Sequence, residues 1–181
     1  KEHGMDWNWD QTSYRSLLYK TGGKSRIEDF AIKKGYKVDA SEIYKTKCTI
    51  FNEFLRIQRL EFREGVVESL NYAKKKGLVT AFVSTTLLET IRNILEAQDG
   101  ILKNLFDRVT SFENNFLPKP SPDAYLRICN DLNISPSEVI AIEDNEAGLM
   151  SANSAGTDAV AFLGENSLGH DVREVKWIAG K

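Results

Sequence analysis

Residues 139–156 read VIAIEDNEAGLMSANSAG, and this stretch decides the fold. The short apolar run at 139–142 predicts a buried strand, which ends in the acidic pair Glu143 and Asp144. A helix is predicted to follow at 147–154 and to close at Gly156, because glycine readily adopts the left-handed conformation found after helix ends. A strand, a polar loop and a helix in this order predict an α/β unit whose loop lies at the carboxyl end of a sheet.

The same alternation continues on both sides of this stretch. Its pattern predicts helices at 66–76, 87–97 and 122–132 and strands at 78–83, 109–111 and 159–162. Short apolar strands that alternate with amphipathic helices are typical of a parallel sheet covered by helices. The fold class is therefore predicted to be α/β, with a Rossmann-like parallel sheet in residues 61–181.

The front of the chain has a different period. Residues 10–58 repeat their apolar side chains at helical spacing and fit three helices. We expect Gly22-Gly23 to end the first helix, and the hydroxyls of Ser25 and Ser41 to cap the second and third. Residues 1–60 are therefore predicted to form a separate helical domain.

Composition excludes several classes of partner. The 181 residues include 24 basic and 26 acidic side chains, mixed along the chain with a net charge of −2, so neither nucleic acid nor an anionic membrane is a predicted partner. No apolar run approaches the roughly 18 residues of a membrane span. The two cysteines, Cys48 and Cys129, lack neighbouring Cys or His partners and are interpreted as reduced structural thiols.

Polar residues that could carry chemistry follow three of the predicted strands. The first strand leads to Ser84 and Thr85, whose hydroxyls and backbone amides at a helix start suit phosphate oxygens. Lys119 lies between two prolines, so its ammonium would be held on a stiff loop, where it could offset phosphoryl charge. The adjacent carboxylates Glu143 and Asp144 suit Mg²⁺.

Each of these residues also has an ordinary structural interpretation. Ser84 could be the N-cap of the next helix, and Asp144 could cap the helix that begins near Asn145. Lys119 could be a solvated surface charge in a proline-rich turn. The order and spacing of all three features together favour the functional interpretation.

The combination resembles motifs two, three and four of the haloacid dehalogenase superfamily. These motifs are a hydroxyl after one strand, a lysine in Lys119-Pro120-Ser121-Pro122-Asp123, and an acidic pair in residues 142–156. The helical front, with residues 7–14 and Thr21-Gly22-Gly23-Lys24-Ser25-Arg26, resembles the cap of the β-phosphoglucomutase-like branch and its CbbY-like sugar-phosphate phosphatases. The resemblance implies a helical cap over residues 1–60, with its first helix truncated, and an α/β core over residues 61–181, with its first strand missing.

The resemblance also implies a function. It implies a magnesium-dependent phosphatase acting on a small phosphorylated sugar, with a sugar bisphosphate favoured. Ser84, Thr85 and Lys119 would bind the transferring phosphoryl group, with Ser84 and Lys119 as catalytic groups, and Glu143 and Asp144 would hold the Mg²⁺. A final set, at the start of the second helix, would meet the distal phosphate of the substrate: Gly23, Lys24 and Arg26.

The family's nucleophile, the first aspartate of an Asp-x-Asp-Gly pattern, is not found in these residues. The resemblance places its strand between the strands that end at Ser84 and Glu143, so we expect a missing N-terminal segment and little activity from this chain alone. A phosphosugar mutase and a catalytically incomplete binding module are the alternatives. The cytoplasm or the plastid stroma is the expected compartment.

Overall fold

The computed structural model describes residues 3–18, 22–58, 60–167, 169, 172 and 177–178. By its internal contacts the chain divides into two compact units, which are described separately. The first unit contains residues 1–44 and 117–181, and the second contains residues 45–116. The predicted division into cap and core at residue 60 stays a prediction.

The front of the chain forms three helices, as predicted: α1 (Gln11–Leu18), α2 (Gly23–Lys34) and α3 (Ala40–Ile57). The caps predicted for α2 and α3 are wrong. Gly22 is the N-cap of α2, with φ 93°, and the Ser25 hydroxyl donates back to the Gly22 carbonyl at 2.9 Å from within the helix. The end of α1 adjoins residues 19–21, outside the described residues, so the role of Gly22-Gly23 in ending α1 stays a prediction. The Asp39 carboxylate takes the capping position that was assigned to Ser41, and it accepts from the Ser41 amide at 2.9 Å. Thr21 lies outside the described residues.

The second unit continues α3 and adds two helices and two strands. These are α4 (Val66–Lys75), β1 (Ala81–Val83), α5 (Leu88–Gly100) and β2 (Arg108–Thr110). β1 and β2 pair in parallel, with Ala81 opposite Arg108 and Val83 opposite Thr110. The end of α5 leaves helical geometry at Ala97, close to the predicted end of that helix.

The described residues of the first unit from 117 onward again alternate helices and strands. Its elements are α6 (Asp123–Leu132), β3 (Ile140–Glu143), α7 (Glu146–Ser154), β4 (Asp158–Ala161) and β5 (Trp177–Ile178). The strands pair in parallel in the order β3-β4-β5, and β5 was not predicted. Along β3 the buried residues Ala141 and Glu143 alternate with the exposed Ile140 and Ile142, because successive strand side chains point to opposite faces.

The predicted α/β class with parallel strands is confirmed. Among the described residues the strands form two separate sheets, and β1 and β3 each have one hydrogen-bonded neighbour. The strand expected between them stays a prediction. Cys48 and Cys129 are free thiols, of which Cys129 is buried. In the part of the chain that the structure describes, no helix has the length and apolar character to cross a bilayer.

Candidate active site

The carboxyl end of β3 holds a buried cluster of charge that Lys119 and Glu143 share. The Lys119 ammonium forms an ion pair with Oε1 of Glu143, and the two side chains are 16% and 9% exposed. The alternative that Lys119 is a solvated surface charge is therefore wrong. Ion pairs this well buried are held by close geometry and extra hydrogen bonds, since desolvating both charges is costly.

A tyrosine supplies the extra hydrogen bond. Tyr125, on α6 and 4% exposed, donates its hydroxyl to the same Oε1 of Glu143. Burial, and then the nearby Glu143 charge, raise the pKa of Tyr125 above its ordinary value, so the phenol stays protonated and acts as a donor. The Lys119 ammonium also lies 5.1 Å from the centre of the Tyr125 ring, within cation–π range.

Gly148, in the first turn of α7, closes the other side of the Glu143 carboxylate. A Cβ added at this glycine would collide with Oε2 and Cδ of Glu143. The glycine is therefore required for space, because its backbone φ is not in the left-handed region. The carboxylate is thus held between the α7 backbone and its two donors.

The loop that carries Lys119, residues 117–122, is fastened at several points and is called the Lys119 loop. The Asp123 carboxylate accepts from the Leu117 amide at 2.9 Å and from the Ser121 hydroxyl at 2.7 Å. The Ser151 hydroxyl on α7 donates to the Ser121 carbonyl at 2.6 Å. The hydrogen bonds that Asp123 accepts from the Ser121 hydroxyl, the larger cause, and from the Leu117 amide lower its pKa.

Asp144 follows Glu143 directly, and its carboxylate is exposed. It does not cap α7, because Asn145 is the N-cap and accepts from the Gly148 amide at 2.9 Å. Asn145 also donates its side-chain amide to Oδ1 of Asp144 at 2.6 Å. The interpretation of Asp144 as a helix cap is therefore wrong. Its carboxylate lies at the end of β3 and is held by the hydrogen bond from Asn145.

The carboxylates of Asp144 and Glu143 fit a hard divalent cation in chemistry, since oxygen ligands suit Mg²⁺. Among the described residues no group of three or more His, Cys, Asp or Glu side chains could hold a metal ion. A cation held here would therefore take its remaining ligands from other oxygen atoms, such as those of phosphate and water, as Mg²⁺ commonly does.

The second unit contains the other predicted phosphate-binding residues, in the loop of residues 84–86 that we call the Ser84 loop. The Ser84 amide donates to the Thr110 hydroxyl at 2.9 Å, and that hydroxyl donates to the Ser84 carbonyl at 2.9 Å. The Ser84 hydroxyl accepts from the Thr86 amide at 3.1 Å. Thr110 is 2% exposed, so a buried hydroxyl fixes the backbone of Ser84.

Ser84 is not the N-cap of α5. That position belongs to Leu87, which makes no side-chain cap, and the Glu113 carboxylate accepts from the Leu88 amide instead, at 3.0 and 3.1 Å. Thr85, like Ser84, is half-buried at the end of β1. The alternative structural interpretation of Ser84 is therefore wrong.

The predicted substrate residues lie at the start of α2. Nζ of Lys24 lies 3.8 Å from Oε1 of Glu28, and both side chains are about half exposed. Gly23 faces the ring of Tyr44, and a Cβ there would lie 2.5 Å from its Cε2. Arg26 is half-buried one turn along α2. The roles assigned to Gly23, Lys24 and Arg26 stay predictions.

Thr110 and Tyr125 were missed by the sequence interpretation. Thr110 lies on β2 and Tyr125 on the buried face of α6, and neither was assigned a role from sequence. A sequence signal for Tyr125 did exist, because a buried tyrosine hydroxyl needs an acceptor and this one follows closely after the Lys119 loop.

Comparisons with known proteins place these features in one family. The model of the haloacid dehalogenase-like hydrolases matches residues 2–156. Protein CbbY of Rhodobacter capsulatus is 30% identical over 178 residues, which cover 96% of this chain and 78% of that protein. The crystal structure of CbbY from Rhodobacter sphaeroides in complex with phosphate matches with a TM-score of 0.86 and 28% identity, covering 97% of this chain and 80% of that one.

A variant of the same Rhodobacter sphaeroides protein, with a TM-score of 0.86, was solved in complex with xylulose-(1,5)bisphosphate. The phosphorylated carbohydrates phosphatase of Thermotoga maritima is 27% identical over 134 residues, covering 74% of this chain and 59% of that protein. The chain belongs to the haloacid dehalogenase-like hydrolases and is related to CbbY.

Proposed function

We propose that this chain belongs to a magnesium-dependent phosphatase that hydrolyses a small phosphorylated sugar. The observation that supports this best is the buried pair of Lys119 and Glu143 at the carboxyl end of β3, next to the exposed Asp144. An ammonium fixed by its own carboxylate at the ligand-binding edge of an α/β sheet is suited to offset charge on a transferring phosphoryl group.

Each residue has one role in the proposed reaction. Lys119 offsets the negative charge that the phosphoryl oxygens carry in the transition state. Ser84 and Thr85 donate hydroxyl or backbone N–H hydrogen bonds to those oxygens, next to the start of α5. The hydrogen bonds between the Thr110 hydroxyl and the Ser84 backbone keep the Ser84 loop in place, so that little reorganisation is needed when phosphate binds.

Asp144 and Glu143 are the residues proposed to hold Mg²⁺. When bound, Mg²⁺ would neutralise phosphate charge and orient the phosphoryl group. Asp144 offers its exposed carboxylate for this role, while Oε1 of Glu143 already accepts from Lys119 and Tyr125. Glu143 therefore links the proposed cation site to the ammonium.

The proposed chemistry proceeds through an aspartyl-phosphate. An aspartate that does not occur in these 181 residues attacks phosphorus in line, and a second aspartate protonates the leaving sugar oxygen. Water then hydrolyses the aspartyl-phosphate and releases inorganic phosphate. Because no Asp-x-Asp pattern occurs in the sequence, we expect residues 1–181 alone to show no turnover.

The proposed substrate is a sugar bisphosphate. This is supported by the complex of the Rhodobacter sphaeroides CbbY variant with xylulose-(1,5)bisphosphate. In this chain Gly23, Lys24 and Arg26, at the start of α2, would meet the distal phosphate. Arg26 is the better candidate because a guanidinium binds phosphate with two parallel hydrogen bonds.

The test is a product assay on the full-length gene product. With a sugar bisphosphate and Mg²⁺ we expect free phosphate to accumulate, whereas an isomerised monophosphate would favour the mutase. Asp144→Asn should abolish the magnesium-dependent turnover, and Asp131→Asn, which removes an exposed carboxylate on α6, should retain it.

Arg26→Ala should raise KM for the bisphosphate far more than for an aryl phosphate, and Lys33→Ala at the far end of α2 should not.

Sequencing of the complete transcript separates the remaining alternative. If it encodes an apolar strand ending in Asp-x-Asp-Gly ahead of this chain, the enzyme proposal holds. If it encodes none and the product releases no phosphate, the chain is a binding module and the proposal is overturned.

A further inference from the structure

Tyr125 places a hydroxyl in contact with the Lys119 and Glu143 pair, although charge balance does not require it. Lys119 and Glu143 already neutralise each other, and a phenylalanine would fill the same space in α6. The hydroxyl nevertheless donates to the oxygen that Lys119 uses, inside a site where Tyr125 is 4% exposed. A buried hydroxyl of this kind selects one geometry, because any other leaves it without an acceptor.

The surroundings leave the Glu143 carboxylate little freedom. Oε1 faces two donors, Lys119 and Tyr125, and Oε2 lies against Gly148, where there is no room for a side chain. Rotation of the carboxylate would break the Tyr125 bond or press Oε2 onto the α7 backbone. The tyrosine therefore fixes the anion that anchors the ammonium.

Tyr125 also contacts the ammonium directly. Nζ of Lys119 lies 5.1 Å from the ring centre, so the ring face and the shared carboxylate both constrain it. A lysine side chain has four flexible carbons and loses considerable entropy when its charge is placed at one point. A group that fixes the ammonium before substrate binds reduces the reorganisation that the transition state would otherwise require.

We propose that Tyr125 is a positioning residue for phosphoryl transfer, which holds Lys119 through its hydroxyl on Glu143 and through its ring. The proposal rests on the proposed phosphatase function for its effect on turnover. Its effect on phosphate binding can be measured separately.

Tyr125→Phe keeps the ring and removes only the hydroxyl. In the full-length gene product we expect kcat to fall about tenfold and KM to rise no more than about threefold, because the charge that Lys119 offsets grows in the transition state. Incorporation of 4-aminophenylalanine at position 125 restores an N–H donor and should recover most of the lost turnover. The matched control is Tyr72→Phe, which removes the hydroxyl of a tyrosine that is 61% exposed.

Calorimetry with inorganic phosphate gives a readout that needs no turnover. Tyr125→Phe should weaken phosphate binding about threefold, and the same change should have no further effect in a Lys119→Gln background, since Tyr125 acts through Lys119. If Tyr125 had only a structural role, Tyr125→Phe would lower the melting temperature, and its effect on phosphate binding would be the same in both backgrounds.

The outcomes are distinct. The positioning role is overturned if wild type, Tyr125→Phe and Tyr72→Phe bind phosphate with the same affinity. It is also overturned if Tyr125→Phe weakens phosphate binding equally in the wild-type and Lys119→Gln backgrounds. A wild-type protein that binds phosphate but releases none from any sugar phosphate would remove the proposed function alone. In that case the calorimetric cycle still decides the role of Tyr125.

Discussion

The Ser84 loop and the ammonium of the Lys119 loop are held in place by different means. The Ser84 loop is held by neutral hydrogen bonds between its Ser84 backbone and the buried Thr110 hydroxyl. The Lys119 loop carries a buried charge, which Glu143 neutralises and Tyr125 orients. Neutral bonds give a rigid loop at small desolvation cost, whereas a buried ion pair gives a fixed charge that is costly to disturb. The comparison predicts that the Lys119 loop is the more sensitive of the two to mutation.

The largest effect is expected from Glu143→Ala. This change leaves the Lys119 ammonium without its carboxylate in a site where it is 16% exposed, and leaves the Tyr125 hydroxyl without an acceptor. We expect a loss of about 3–5 kcal/mol in the free energy of unfolding, measured by urea denaturation. The control is Glu96→Ala, which removes a partner from the exposed pair with Lys103, at 3.8 Å, and should cost no more than about 1 kcal/mol. Equal losses in the two variants would contradict the comparison.

Gly148→Ala tests how tightly the Glu143 carboxylate is enclosed. On helix propensity alone, alanine within α7 should stabilise the protein by about 1 kcal/mol. The collision of its Cβ with Glu143 predicts the opposite sign, a net loss of about 1–3 kcal/mol, measured by the same urea titration.

The sign should reverse in a Glu143→Ala background. There the three Glu143 atoms that crowd the new Cβ are gone, while the gain in helix propensity remains. Destabilisation that is the same in both backgrounds would show that the cost comes from somewhere other than Glu143.

The elements of both regions could be predicted from sequence, while the contacts that hold the loops could not. Apolar periodicity set the strands before Ser84 and Glu143 to within a few residues, because burial of one face is the main determinant of these elements. It also placed Lys119 and Glu143 at the same sheet edge, since the active residues of parallel sheets gather at carboxyl ends.

Side-chain partners depend on distances across the fold, which periodicity does not contain. Thr110 and Tyr125 were missed because the acceptors of their hydroxyls lie 26 and 18 residues away in the sequence. The cap of α3 failed for a local reason. Asp39 and Ser41 can both cap a helix, and the one just ahead of its first residue, Ala40, took the position.

Thr110→Val is the matching test of the Ser84 loop. Valine keeps the buried shape and removes both hydrogen bonds to Ser84, so we expect a loss of about 1–2 kcal/mol in the free energy of unfolding. Turnover of the full-length gene product should also fall, because Ser84 would be held less firmly.

Thr157→Val is the control for Thr110→Val. It too removes a buried hydroxyl, one that donates to the Ala152 carbonyl at 2.9 Å, but it touches neither loop. It should reduce stability without changing kcat/KM. If Thr110→Val leaves kcat/KM unchanged as well, Thr110 has no role beyond stability.

The smallest effect concerns the ion pair of Lys74 and Asp107 in the second unit, whose side chains are 28% and 38% exposed and so better solvated than the Lys119 pair. Oδ1 of Asp107 lies 2.6 Å from Nζ of Lys74, and its Oδ2 accepts from the Thr80 amide at 2.8 Å. The hydrogen bond from Lys74, followed by that from the Thr80 amide, lowers the pKa of Asp107 to about 2 from an unfolded value of 3.8. Because the folded state holds the ionised form more strongly, this contribution is fully present above the unfolded pKa and is lost as the pH falls from about 4 to about 2.

Urea midpoints measured at pH 5, 3 and 2 should therefore fall less steeply with acid in Asp107→Asn than in wild type. Lys74→Met removes the larger cause of the pKa shift and should reproduce most of that change, while the Thr80 bond preserves the rest. An acid dependence that is identical in Asp107→Asn and wild type would contradict the assignment. Because this pair is better solvated, its whole effect should also shrink with added salt, and the stability difference caused by Glu143→Ala should respond to salt far less.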